Sequence, residues 1–120
     1  MKFMMIVKHA EKQGPPPKEL MDAITILSQE ETKDGTMIGN GGLGPTALGA
    51  RVRLSGGKVT VTDGPFTEAK EVIGGFAILQ ANSKAEAIEM TKRFLEVTGE
   101  GECELRQVYE APQTHSAAKL

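Results

Sequence analysis

Arg51-Val52-Arg53-Leu54-Ser55-Gly56-Gly57-Lys58-Val59-Thr60-Val61-Thr62-Asp63 reads as a strand, a two-residue turn and a second strand. Apolar and polar residues alternate on both sides of a Gly-Gly pair that can take the left-handed backbone of a tight hairpin turn. Such a turn fixes the register: Ser55 faces Lys58, Leu54 faces Val59, Arg53 faces Thr60, Val52 faces Val61 and Arg51 faces Thr62. One hairpin face is then Val and Leu throughout. The other carries Arg51 and Arg53 and leads into Asp63, so a cationic ridge is expected beside the acidic residues that follow. Whether the hairpin belongs to a larger sheet or interrupts one decides the fold, and its flanks answer that.

Upstream, Lys2 to Val7 is apolar at consecutive positions, as a strand covered on both faces requires. A stiff connector, Glu11 to Pro17, ends in three prolines and leads to a helix from Lys18 to Lys33. Leu20, Ala23, Ile24 and Leu27 form its buried stripe, and Asp34-Gly35 closes it. Thr36-Met37-Ile38 starts a short strand, and Gly39 to Pro45 is expected to be a flexible bend. That bend lacks both the GxGxxG pattern and the Lys-Ser/Thr pair of phosphate loops.

Downstream, Ile73 to Ala81 is a buried strand entered through Gly74-Gly75. Ser83-Lys84-Ala85-Glu86 has capping-box spacing and opens a helix whose stripe is Ala87, Met90, Thr91, Phe94 and Leu95. Glu89 and Arg93 are spaced as an exposed i, i+4 pair, Gly99 ends the helix, and Cys103 to Tyr109 is the last strand. The order β, α, β, hairpin, β, α, β is a ferredoxin-like split βαβ plan, an α+β fold with an inserted β-hairpin. Two helices can cover only one sheet face, so a homodimer that covers the other is expected. Residues 1–110 are expected to form one domain, and residues 111–120, small and polar without periodicity, a flexible tail.

Composition narrows the function. A net charge of −2, one tyrosine and no tryptophan give neither the basic footprint nor the stacking platforms of a nucleic-acid binder, so no direct nucleic-acid partner is expected. No apolar run reaches membrane-spanning length and the N-terminus is not a secretory leader, so the expectation is a cytoplasmic protein with no membrane partner. Cys103 is the single cysteine, and His9 and His115 have no ligand-spaced partner. Neither a metal nor any other cofactor is therefore expected.

The candidate chemistry lies in Asp63-Gly64-Pro65-Phe66-Thr67-Glu68-Ala69-Lys70-Glu71. Turn physics accounts for its first part: Asp63 accepts a nearby amide, Pro65 stiffens the corner, Phe66 anchors it, and Thr67 can cap a helical turn. The charged remainder has no such explanation. A carboxylate at the mouth of a partly apolar cleft suits proton transfer, which makes Asp63 the first catalytic candidate. His9, just past the first strand and titrating near neutrality, is the second. Arg51, Arg53 and Lys70 are placed to hold an anionic or enolate-like group, with Phe66 and Glu68 completing a ligand-binding set.

Met1-Lys2-Phe3-Met4, Gly49-Ala50-Arg51-Val52-Arg53, Ser55-Gly56-Gly57-Lys58, Val61 to Phe66, Lys70-Glu71 and Gly74-Gly75-Phe76 together resemble the DGPF branch of the YCII-related proteins. The resemblance runs over nearly the whole chain. It implies a dimeric α/β-barrel type of assembly, in which two sheets face each other, but it implies no settled reaction. Some of the wider group carry a His-Asp pair for proton transfer on ring compounds. The helix from Lys18 to Lys33 has no histidine, so that pair is not carried over. Two functions stay open: a cofactor-independent enzyme or binder acting on a small ring-shaped or anionic molecule, and a noncatalytic homodimeric regulatory or protein-interaction module.

Overall fold

Strand β1 (Lys2–His9) lies inside a four-stranded antiparallel sheet, as its doubly apolar sequence requires. The computed structural model describes residues 1–9, 17–66 and 72–110. Along these, β1 is followed by α1 (Lys18–Lys33), β2 (Met37–Gly42), a 3₁₀ turn (Thr46–Leu48), β3 (Ala50–Ser55), β4 (Lys58–Asp63), β5 (Val72–Gln80), α2 (Lys84–Thr98) and β6 (Glu102–Val108). The sheet order β2-β5-β1-β6 is the split βαβ arrangement, with β3 and β4 forming a separate two-stranded ribbon. The connector before Pro17, the turn after Thr67 and the tail from residue 111 lie outside the described residues.

The register sorts the side chains. Phe3 faces Leu79 and Met5 faces Ala77, all four buried, and the cluster continues through Met37, Ala87 and Met90. Both helices cover this side: α1 lays Leu20, Ala23, Ile24 and Leu27 inward, and α2 buries Ala87, Met90 and Thr91. On the opposite side Met4 faces Ile78 and Ile6 faces Phe76, all partly exposed, with no helix over them. Lys8 anchors the rim of that side, bonding Glu104 at 3.1 Å and Glu102 at 3.3 Å, while Arg106 meets Glu104 at 3.3 Å. These carboxylates hold the Lys8 ammonium above the usual lysine range, Glu104 first. Lys8 and Arg106 hold the Glu104 carboxyl below its usual range.

Three local expectations change. The glycine-rich segment is not a flexible bend: Gly39-Asn40-Gly41-Gly42 belongs to β2 and pairs with β5. Glycine suits this pairing, since a Cβ on Gly41 would lie 3.1 Å from the Phe76 ring and one on Gly75 would lie 3.0 Å from the Gly41 carbonyl, each crowding its neighbour. In the α2 cap, Ser83 accepts the Glu86 amide at 3.1 Å, but the Glu86 carboxylate accepts from the Asn82 amide and side chain, not from the Ser83 amide. Glu89 pairs with Lys92 at 3.0 Å, whereas Arg93 acts on Glu31 in the last turn of α1 and on Asp34 just after it.

Glu31 is the one charged residue buried among the described residues, 5% exposed. Burial pushes its carboxyl above the usual range, and Asp34 and Glu30 push the same way against the pull of Arg93. A raised folded-state pKa favours folding fully only below the unfolded value, near pH 4, and that contribution is lost as pH rises through the folded value. Glu31→Gln should therefore raise Tm at pH 7, with the gap to the parent closing below about pH 4. Paired thermal melts across pH check this, and a gap that stayed constant with pH would contradict it.

Candidate functional site

The ribbon joins the sheet body at one corner. The Gly64 amide donates to the Gly49 carbonyl at 2.9 Å, extending the β3–β4 ladder by one bond, and the Phe66 amide donates to Thr46 Oγ1 at 3.3 Å. Pro65 has no amide, so the donors at positions 64 and 66 turn to residues 46–49 and not to an Asx turn on Asp63. Gly64 is required by proximity. A Cβ there would overlap the Thr46 carbonyl, and neither backbone can swing aside. The Gly64-Pro65 peptide is cis.

Two expected ligand-binding residues meet at this corner: the Arg51 guanidinium lies over the half-buried Phe66 ring, 4.1 Å from its centroid. They line an open cleft of about 600 Å³ together with Leu43, Leu48, Val72 and Ile73. Leu43, Leu48 and Ile73 are each about half exposed or more, so the wall is apolar and reachable. Leu43 comes from the segment read from sequence as a bend, and Leu48 from the 3₁₀ turn just after it. The available signal was two large aliphatic residues in a loop otherwise made of Gly, Pro, Thr and Ala.

The remaining candidates are dispersed. The hairpin register is as expected, with one further pair, Ala50 opposite Asp63. Because successive residues alternate faces, Asp63 lies on the Val and Leu face and Arg51 and Arg53 on the other, so no ridge joins them. Asp63 and Arg53 are exposed. His9 pairs with Val72 beyond a β-bulge at Val7/Lys8, and its ring lies where a Gly74 Cβ would be. Neither Asp63 nor His9 lines the cleft, although each pairs with a residue that does. Glu68 and Lys70 lie outside the described residues.

Among the described residues no group of three His, Cys, Asp or Glu side chains could hold a metal, and no helix is long and apolar enough to cross a membrane. Burial, reinforced by Glu102, raises the Cys103 thiol, so it stays protonated near neutral pH and lacks the character of a nucleophile.

A split βαβ domain with a ribbon inserted before β5 and an apolar cleft at the ribbon's base is the class these features define. The model of the YCII-related domain matches residues 1–112, and the chain belongs to that family. An uncharacterized protein of Rhizobium meliloti (strain 1021) is 40% identical over 48 residues, which is 40% of this chain and 39% of that protein. The chain thus matches well under half of that relative's length. Among solved structures, the 5-chloro-2-hydroxyhydroquinone dehydrochlorinase of Burkholderia phenoliruptrix, in complex with 2,5-dihydroxybenzoquinone, aligns over 92% of this chain and 96% of its own. Its TM-score is 0.47 at 17% identity.

The corner makes a sharp contrast testable. Gly64→Ala should cost about 1–3 kcal/mol, because backbone must separate from backbone. Gly42→Ala, where a Cβ meets nothing within 4 Å, should be neutral or slightly stabilising. Urea unfolding of both variants checks this, and equal costs would contradict the assignment of Gly64 as a contact glycine.

Proposed function

We propose that this protein is a DGPF-branch member that acts as a cytoplasmic homodimer and binds a small ring-shaped molecule with an anionic edge in the cleft at the ribbon base. The observation that carries this reading is the Arg51–Phe66 stack on an otherwise aliphatic wall. A planar ring gains from the aromatic and aliphatic surface, and a carboxylate or phenolate edge gains from the guanidinium. The volume fits a small molecule. Binding is favoured over proton transfer, since Asp63 and His9 stand outside the cleft lining. Support for the homodimer comes from the helix-free side of the sheet, where Met4, Ile6, Phe76 and Ile78 are partly exposed.

Amide chemical-shift titration with benzoate and with acetate separates ring from charge. Benzoate should shift residues 46–51 and 72–73, acetate should do so far more weakly, and Phe66→Ala should weaken benzoate binding about tenfold, or 1.4 kcal/mol. Scattered shifts, or binding indifferent to Phe66→Ala, would remove the cleft from consideration. Light scattering should return twice 12.8 kDa at about 200 μM. A monomer would remove the homodimer.

A further inference from the structure

The ribbon is the least accounted-for part of the molecule. Every residue of β3 and β4 is exposed, including Val52 and Leu54 at 70%, Val61 at 64% and Val59 at 61%. An isolated two-stranded hairpin is marginal in water, and a row of large aliphatic side chains along one face makes solvent exposure more costly still. The ribbon does not fold back over its own sheet. Its strands pair only with each other, and the radius of gyration is 16.8 Å where about 13–14 Å is usual for this length. It is a projecting arm with one apolar face.

We propose that the β3–β4 ribbon docks through its Val52, Leu54, Val59 and Val61 face on a second copy of this chain, and that the second copy thereby roofs the cleft. This rests on the homodimer reading above and goes further, since that reading concerns only the sheet.

Two observations select a second copy as the occupant. The first is area. The helix-free sheet side measures about 25 Å by 19 Å, on the order of 450–500 Å², short of the roughly 800 Å² per partner of a stable interface. The ribbon face adds on the order of 200 Å² and brings the total near that range. The second is continuity. Ala50 lines the cleft and, through its pairing with Asp63, begins the same ribbon face that continues through Val52 and Val61. A body packed against that face would also lie over Leu48, which is 83% exposed beside it. Small-molecule sites usually enclose most of their ligand, which this open cleft does not do in one chain.

Hydrogen exchange of the full chain at 1 μM and 200 μM, alongside sedimentation velocity, tests the proposal. At the higher concentration the dimer should form, and amides of residues 46–63 should exchange at least tenfold more slowly. The double variant Val52→Lys/Val61→Lys should weaken dimerisation at least tenfold and lose that protection. Ser55→Lys/Thr60→Lys, which adds the same charge to the other ribbon face, should do neither. Far-UV circular dichroism confirms that each variant is folded, as expected for side chains that are exposed in the single chain. A parent that stays monomeric at 200 μM overturns the homodimer reading and the arm with it. A dimer whose ribbon exchanges at the monomer's rate, or which tolerates Val52→Lys/Val61→Lys, overturns the arm alone. Protection of residues 50–63 without residues 46–49 overturns the roof.

Discussion

The pairing of β1 with β5 is the constraint from which the rest of the structure follows. With Phe3 opposite Leu79 and Met5 opposite Ala77, each half of the split βαβ unit supplies two of the four residues beneath the helices. Neither half could bury its own share alone. The same register sends Met4, Ile6, Phe76 and Ile78 to the other side, because a strand's alternation leaves no other choice. A one-residue slip would exchange the two sets and expose the core. The bulge after Val7 then shifts the pairing so that His9 meets Val72, next to the cleft wall.

Much of this was legible in local sequence. The span of α1, the stripe of α2 and the hairpin register all depend on interactions within a few residues, and all stand as read. What sequence hid was decided by distant atoms. Glycines 39, 41 and 42 looked like a loop because their composition says loop. They form a strand because β5 supplies a paired neighbour, and the Phe76 ring makes a side chain at Gly41 crowded. The Glu86 and Glu89 side chains each chose a partner one position away from the expected one, among contacts of comparable strength.

The candidate site divides in the same way. Arg51 and Phe66 were singled out as residue types suited to a ring-shaped anion, and they do meet. The leucines of the opposite wall were missed because they lie before β3 and only tertiary structure brings them across. The expected cationic ridge beside Asp63 fails on parity alone, since residues opposite and adjacent in an antiparallel pair cannot all share a face. Gly64, which the turn reading treated as a bend residue, is set by close contact with Thr46.

One contact constrains how this sequence can change over time. The His9 ring occupies the space that a Cβ at position 74 would need, though the two residues sit on different strands and far apart along the chain. A side chain at 74 needs the ring at 9 to turn aside or be replaced, so two positions that sequence reading treats separately, a proton-carrier candidate and an ordinary strand glycine, compete for one volume.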